Sequence, residues 1–219
     1  MSKQVCAVVG VGPAMGNAIA KAFADEGCTV VMMARSKEKL EGYAQEIRAQ
    51  GASDVHTQVM DTTDRSSVEK AFSEVREQFG APDILVYNPA VLKKEAPSEL
   101  EPDALVDTFG IMLFGAMHCV RTVLPAMRQR GSGTILFTGG GFGIDPSTTF
   151  ASHSIGKAAL RNYANGLFLE LKEKGIHAGT VTITRPVEET GDHTKEAIAS
   201  RYVALHKQSP AEWEWEIVK

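Results

Sequence analysis

The sequence has 219 residues, of which 43% are hydrophobic and 7% aromatic, and its formal net charge is −4. This length suits one substantial core and is short for two, so we expect a single domain over residues 1–219. Nucleic-acid binding needs clustered Lys and Arg, and the mixed charges therefore predict small-molecule ligands without a nucleic-acid partner. No apolar run approaches the ~18 to 20 residues of a membrane span, and residues 1–4 leave no room for a signal peptide, so we expect a cytoplasmic protein without a membrane partner.

Three cysteines, Cys6, Cys28 and Cys119, are the only ones in the chain. Their number is odd, they lie far apart, and each belongs to an apolar segment. This pattern fits neither a disulfide framework nor the spacing of metal ligands. We expect reduced core residues and no metal site.

The stretch of residues 4–24 carries the first functional signal. A β-branched apolar run leads into Gly10, Gly12 and Gly16, and apolar residues then recur at helical spacing. In a strand, turn and helix of this kind the glycines let the backbone approach a phosphate, which the helix N-terminus attracts. We therefore expect Gly10, Gly12, Met15 and Gly16 to bind a phosphorylated cofactor. The alternative is a glycine-rich turn that serves only the geometry of the chain.

Arg35 and Ser36 follow the second predicted strand, residues 29–34, and precede a polar helix over residues 37–50. At the end of this strand an NAD site usually has an acidic residue that binds the ribose hydroxyls. A guanidinium there suits a 2′-phosphate, so we expect Arg35 and Ser36 to bind the cofactor and NADP(H) to be favoured over NAD(H). The alternative for Arg35 is an ordinary solvated cation.

Asp61 directly follows the third predicted strand, residues 55–60, and Thr62 or Thr63 is placed to cap the helix that runs to about Phe79. The carboxyl ends of parallel strands form the ligand crevice of an open sheet, which makes Asp61 a candidate acceptor for an adenine amino group. A helix-capping carboxylate is an equally good interpretation.

Strands and helices continue to alternate along the rest of the chain. Because right-handed crossovers place helices on both sides of such a sheet, the pattern predicts an α/β fold with a doubly wound parallel sheet covered by helices on both faces. The last segment, residues 188–219, is predicted as a short helical lid over the site followed by an edge strand or arm, with Trp213 and Trp215 in packing roles. The remaining predicted elements are strand 84–87, a long helix over 102–130 with a kink or break at Pro125, strand 134–138, a glycine-rich run over 139–143, helix 154–172 and strand 177–183.

With these elements in place, the chain resembles a short-chain dehydrogenase/reductase over nearly its whole length. The resemblance implies a single-domain Rossmann-like fold that binds NAD(H) or NADP(H), transfers a hydride between the nicotinamide and a carbonyl or alcohol, and forms homodimers or homotetramers through two long helices. It is carried by the glycine loop over residues 10–16, by Asp61, by YNPA at residues 87–90, by LPAMRQRGSGTILFTGG at residues 124–140 and by SHSIGKAAL at residues 152–160.

Three of the four family active-site positions are altered. His153 stands four residues before Lys157, where the family has Tyr; Gly140 occupies the Ser position and Met112 the Asn position. Related enoyl reductases place Tyr seven residues before the Lys, and this chain has Phe150 there. Only Lys157 of the four is retained.

The resemblance assigns Lys157 two tasks, holding the nicotinamide ribose and tuning the acid. His153 can take the place of the Tyr as proton donor, because its unperturbed pKa lies near ~6.5 and its ring nitrogen can reach a substrate oxygen. A neighbouring ammonium favours its neutral form, which can donate a hydrogen bond but is a poorer full acid. Thr138, or a backbone N–H of residues 139–141, is the candidate replacement for the Ser. Asn88 matches a family position near the adenosine. The alternatives are a first-turn histidine without catalytic consequence, a solvated helix lysine and a simple turn at Asn88.

Two functions follow from these residues. The first is an NADP(H)-dependent oxidoreductase with a rearranged acid, acting on a small carbonyl, alcohol or activated double bond. The second is a catalytically impaired NADP(H)-binding regulatory or sensor protein of the same fold. A domain that has also lost cofactor binding is a weaker third hypothesis, because Gly10, Gly16 and Arg35 would then have no purpose.

Overall fold

Seven parallel strands form one sheet in the computed structural model, which describes residues 3–219. The strands are β1 (Val5–Val9), β2 (Thr29–Ala34), β3 (Val55–Val59), β4 (Ile84–Tyr87), β5 (Gly133–Gly140), β6 (Ile176–Ile183) and β7 (Glu216–Val218). They lie side by side in the order β3-β2-β1-β4-β5-β6-β7, and every neighbouring pair is parallel. The doubly wound, Rossmann-like sheet predicted from the sequence is confirmed.

Seven α-helices cover the sheet in the described part of the chain. They are α1 (Met15–Asp25), α2 (Lys37–Ala49), α3 (Arg65–Phe79), α4 (Pro102–Phe109), α5 (Gly115–Arg130), α6 (Ala151–Leu171) and α7 (Lys195–Lys207). Alternate residues of a strand point to opposite faces, so that Val5, Ala7 and Val9 pack with α3, α5 and α6, whereas Cys6 and Val8 pack with α1, α2 and α7. Both faces of the sheet are therefore buried, which explains the almost continuous apolar sequence of its central strands.

The cysteines behave as predicted. Cys6, Cys28 and Cys119 are all buried and free. Within residues 3–219 no group of His, Cys, Asp and Glu side chains is placed to hold a metal ion.

The long helical run over Pro102–Arg130 is interrupted, although not at Pro125 as predicted. The helix α5 continues through Pro125, whereas a π-helical turn at Gly110–Phe114 separates α4 from α5. Proline removes the hydrogen bond to the carbonyl of Arg121, and because Arg121 is exposed, solvent can satisfy that carbonyl. The predicted break is therefore wrong in position.

The same run, Pro102–Arg130, meets the length and composition of a membrane span, with a mean hydropathy of 1.4 over its most apolar window. The prediction that no apolar run approaches the length of a membrane span is therefore wrong for this segment. A core helix satisfies the same test, and this one packs on the sheet through Cys119, Val120 and Val123.

The starts of two helices differ from the predictions. Asp64, rather than Thr62 or Thr63, caps α3 by accepting a hydrogen bond from the Ser66 N–H. The helix α6 begins at Ala151, three residues earlier than predicted, which places His153 in its first turn.

The C-terminal segment forms part of the core layer rather than a lid. Ile198, Tyr202 and Leu205 of α7 are fully buried and pack with the residues of α1. The predicted edge strand is β7. Trp213 stacks on His177 with ring centres 4.9 Å apart, and Trp215 lies under the Arg161 guanidinium, so both tryptophans pack within the protein.

Candidate functional site

A cleft of about 710 Å³ lies at the carboxyl ends of the strands, where β1 and β4 meet and the chain changes direction across the sheet. Such a switch point is where open α/β sheets bind ligands. The cleft brings together almost all the residues singled out in the sequence: Gly10, Gly12, Met15, Gly16, Arg35, Asp61, Asn88, Thr138, His153 and Lys157.

The glycine loop fits a site for a phosphate. Gly10 has a φ of +80°, and a Cβ atom there would lie 2.6 Å from the Pro89 ring. A Cβ atom on Gly16 would lie 2.7 Å from the Val11 Cα, which explains the close approach of α1 to the strand. At Gly12, by contrast, a Cβ atom would meet open space in the cleft. No side chain caps the N-terminus of α1, and although the Asn17 N–H donates to the Gly12 carbonyl, the N–H groups of Met15 and Gly16 precede the first helical hydrogen bonds and can bind an anion.

Arg35 and Asp61 face the cleft from neighbouring strand ends, whereas Ser36 does not line it. The Ser36 hydroxyl instead accepts a hydrogen bond from the Lys39 N–H and caps α2. Ser36 therefore has a helix-capping role in this structure, and its contact with a cofactor stays a prediction.

Asp61 forms a local turn with Thr63. Its Oδ1 accepts hydrogen bonds from the Thr63 N–H at 2.9 Å and from the Thr63 hydroxyl at 2.7 Å. These bonds, helped by the positive charge of Arg35, lower the pKa of the Asp61 carboxyl. Asp61 is therefore ionised at neutral pH and adds a hydrogen-bond acceptor to the cleft.

A chain of buried hydrogen bonds supports the glycine loop from below. Tyr202 donates its hydroxyl proton to Thr138 Oγ1, Thr138 donates to Asn88 Oδ1, and Asn88 Nδ2 donates to the Gly10 carbonyl, each over 2.8 Å. The single hydroxyl proton of Thr138 is therefore used inside the protein. This geometry corrects the prediction of Thr138 as an electrophilic anchor: its hydroxyl positions Asn88 instead.

Lys157 is buried, which argues against a solvated helix lysine. Its Nζ donates to the Thr138 carbonyl over 2.6 Å, and burial lowers the pKa of Lys157 to about 8. The ammonium has two further N–H groups with which to bind an oxygen atom in the cleft. The alkyl stem of Lys157 also packs against Gly140, where a Cβ atom would lie 3.3 Å from three of its carbons.

His153 is held by the loop that follows β4. Its Nδ1 lies 2.6 Å from the Val91 carbonyl oxygen, which can only accept a hydrogen bond. The neutral ring therefore carries its proton on Nδ1 and presents Nε2 as an acceptor. Burial, reinforced by the positive charge of Lys157, lowers the pKa of His153, although the bond to Val91 opposes the shift. His153 is consequently neutral at pH 7.

The position of the family Asn lies in the π-helical turn. Met112 is fully buried there, and a Cβ atom on Gly156 would lie 2.9 Å from its sulfur, so the side chain fills the space between the turn and α6. The neighbouring carbonyl of Ile111 accepts a hydrogen bond from the buried Tyr87 hydroxyl. This turn also brings Ile111 into the cleft wall.

A profile of the family described as short chain dehydrogenase matches residues 4–192 of this chain. The chain belongs to the short-chain dehydrogenase family. Among curated relatives of this short-chain dehydrogenase, an uncharacterized oxidoreductase of Staphylococcus saprophyticus is 26% identical over 182 residues, which cover 83% of this chain and 78% of that protein.

Solved structures of short-chain oxidoreductases share the fold. A metagenomic short-chain oxidoreductase in complex with NADP has a TM-score of 0.88 at 24% identity and covers 99% of this chain and 96% of that one. An NADPH-bound short-chain oxidoreductase from Pseudomonas aeruginosa PAO1, described as containing an atypical catalytic center, has a TM-score of 0.89 at 18% identity and covers 100% of this chain and 96% of that one.

Three functional contacts in this short-chain dehydrogenase were missed by sequence reasoning. They involve the Val91 carbonyl, Ile111 and Tyr202. Val91 follows YNPA and Ile111 precedes Met112 at the family Asn position, so their place near the cleft could have been found from position. Tyr202 lies 64 residues from Thr138 in a charged segment, and no local spacing marks it.

Proposed function

We propose that this protein is an NADP(H)-dependent oxidoreductase that transfers a hydride between the nicotinamide and a small carbonyl or alcohol, with His153 in place of the family Tyr. One observation carries the proposal. A single cleft joins the glycine loop and Arg35, near β1 and β2, to the buried Lys157 and to His153, beyond β5. The candidate cofactor-binding and proton-handling groups thus line one cleft.

The residues of the cleft fit a dinucleotide phosphate. Gly12 leaves open space beside the uncapped N-terminus of α1, where a pyrophosphate gains N–H donors. Arg35 would hold a 2′-phosphate, and Asp61 would accept a hydrogen bond from the adenine amino group. Asn88 would keep the loop in place through its bond to Gly10. When bound, the nicotinamide supplies or accepts the hydride.

Proton transfer falls to His153. With Nδ1–H bound to Val91, the neutral ring can take the hydroxyl proton of an alcohol at Nε2. In the opposite direction the imidazolium gives that proton to a developing alkoxide. The Lys157 ammonium, anchored on the Thr138 carbonyl, holds the ribose and stabilises negative charge nearby.

The second candidate is a catalytically impaired NADP(H)-binding sensor. Specific observations favour it: the Ser and Asn positions hold Gly140 and Met112, and the ring proton of neutral His153 is committed to Val91. A protein that binds NADPH tightly and shows no turnover with a broad set of carbonyls and alcohols would match this candidate.

The first test titrates the protein with NADPH and NADH while nicotinamide fluorescence is followed. We expect preferential NADPH binding, and we expect Arg35→Asp to weaken NADPH affinity roughly 10- to 100-fold with little effect on NADH, as for a lost charged hydrogen bond. Lys37→Asp is the matched control, because Lys37 is an exposed cation that does not line the cleft. Failure to bind either nucleotide would contradict both candidates.

The proposal includes a homodimer or homotetramer in the cytoplasm. Large apolar side chains remain exposed on the two long helical segments, among them Val106, Phe114 and Met117 on one and Ile155 and Leu169 on the other. Such faces support contact with a second copy of the chain. Three free, buried cysteines suit a compartment in which thiols stay reduced.

A further inference from the structure

Large apolar side chains lie on the loops that follow three of the strands whose ends line the cleft. Leu92 follows β4, Phe142 and Ile144 follow β5, and Val187 follows β6, and all four are exposed. Single exposed apolar residues are ordinary, but these belong to the loops of three adjacent strand ends that border one cleft. Together they form an apolar rim, a name used below for these four residues.

Phe142 is the member of the apolar rim that contacts the proton-handling group. Its ring centre lies 5.9 Å from that of Phe150 in a stacked arrangement and 6.1 Å from that of His153 in an edge-to-face arrangement. Phe142 nevertheless remains 39% exposed. A substrate whose reacting oxygen meets His153 would therefore place its neighbouring substituent beside this ring.

Two glycines fix the position of Phe142. A Cβ atom on Gly141 would lie 2.8 Å from the Thr184 Cα, and one on Gly143 would lie 2.7 Å from the Lys157 carbonyl carbon. The loop is therefore pressed against the end of β6 and against α6, where only glycine fits. Phe142 is the single side chain between these contacts, so that its backbone position is fixed before any ligand binds, and its ring packs on Phe150 and His153.

Two cations of the flanking loops are already paired, whereas the exposed Lys94 makes no salt bridge among the described residues. Lys93 contacts Glu95 at 3.0 Å, and Arg185 contacts Glu188 at 2.7 Å and Asp192 at 2.8 Å. A substrate carboxylate would have to compete with these partners for either cation. The pairing thus weakens the attraction of Lys93 and Arg185 for a charged substituent of the substrate.

We propose that Phe142 selects neutral carbonyl compounds and alcohols with an aromatic or flat apolar substituent, which packs on its exposed face. This inference rests on the proposed function for the hydride transfer. The apolar recognition itself requires only that the ligand enter the cleft beside His153.

Equilibrium binding tests the selection without any need for turnover. Benzyl alcohol, 4-(hydroxymethyl)benzoate and 1-propanol are titrated into the protein, with and without saturating NADP+, and binding is followed by ligand-observed NMR. We expect benzyl alcohol to bind at least about tenfold more tightly than either of the others. Equal affinities, or a preference for the benzoate, would overturn the proposal.

Variants assign the effect to the ring. Phe142→Ala should weaken benzyl alcohol binding about tenfold, whereas Phe142→Tyr keeps a ring and should retain it. NADPH titration of each variant checks that the cleft remains intact. If the unchanged protein binds benzyl alcohol through Phe142 but does not bind NADPH, only the proposed function is contradicted. If the protein binds NADPH but Phe142→Ala leaves its affinity for benzyl alcohol unchanged, only this inference is contradicted.

Discussion

His153 differs from the tyrosine that it replaces because a carbonyl already holds one of its protons. A phenol has one hydroxyl that both donates and accepts, whereas His153 can offer only Nε2 to a substrate once Nδ1–H is bound to Val91. The neutral ring is therefore prepared to remove a proton from an alcohol. Carbonyl reduction needs an additional proton on the ring first.

The two directions of the reaction should consequently have opposite pH dependences. The pKa of His153 lies below its usual value and that of Lys157 is about 8. Raising the pH through the His153 pKa increases the fraction of neutral base, so kcat/KM for alcohol oxidation should rise through this lowered pKa and fall above about pH 8 as Lys157 loses its proton. Carbonyl reduction should instead fall as His153 loses its proton.

The His153→Gln variant provides the control for this assignment. Glutamine cannot titrate, and the variant should lose the acidic limb of the profile together with about 10²- to 10⁴-fold of the rate, the usual contribution of a general acid or base. NADPH affinity should stay close to that of the unchanged protein. A profile with the same acidic limb in the variant would remove His153 from the reaction.

At the scale of elements, α7 supports the cofactor loop through the Tyr202 hydroxyl. The hydrogen bonds from Tyr202 through Thr138 and Asn88 reach Gly10 across the sheet. Tyr202→Phe removes one hydrogen bond of this chain, a change of about 1 kcal/mol. Part of this loss should be seen as an increase of roughly threefold in the Kd for NADPH.

Nucleotide titration of Tyr202→Phe beside Tyr163→Phe checks the role of the chain. Tyr163 is partly buried against the opposite face of the sheet and packs on Phe137, so its hydroxyl is a matched control outside the network. Urea unfolding of both variants separates a general loss of stability from a specific loss of affinity. An unchanged Kd for Tyr202→Phe would show that α7 and the glycine loop are independent.

The elements that could be predicted are those whose sequence pattern agrees with their burial. The central strands are apolar runs bounded by turn residues, and two of them, Thr29–Ala34 and Ile84–Tyr87, match their predicted bounds. The start of α6 was missed because Phe150, at its N-cap, makes no side-chain capping bond. The buried apolar face of α7 is not evident from the sequence because charged residues surround it, so the pattern predicts a lid.

The site was predictable where it depends on position along the chain and not where it depends on tertiary contact. Residues that follow strands, such as Arg35 and Asp61, must reach the same edge of a parallel sheet. The position of the ring proton of His153 depends instead on Val91, and the hydrogen bonding of the Thr138 hydroxyl depends on Tyr202. Local sequence does not connect these pairs of residues. Their chemical roles therefore needed the fold.

At the scale of the whole molecule, the exposed apolar faces of the long helices predict self-association. Phe114 is 43% exposed at the junction of α4 and α5, and a charge there would have to be desolvated in any contact between copies. We expect Phe114→Asp to reduce the mass of the assembly to that of a monomer in light scattering.

Val59→Asp is the control for this prediction. Val59 is similarly exposed, at 44%, but lies at the end of β3, away from both long helices. Its variant should keep the oligomeric mass. If Phe114→Asp also keeps that mass, the assembly does not form through this face.

The packing around Met112, Gly140 and His153 makes the Asn, Ser and Tyr of the family active site difficult to restore one substitution at a time. A side chain at Gly140 must first displace the stem of Lys157, and an asparagine at Met112 would leave a gap beside Gly156. A tyrosine at His153 would give up the bond to the Val91 carbonyl. Because these sites share neighbours, their effects should not add. An engineer who wants a conventional dehydrogenase from this chain should therefore change the positions together, in a combinatorial library, rather than rank single variants.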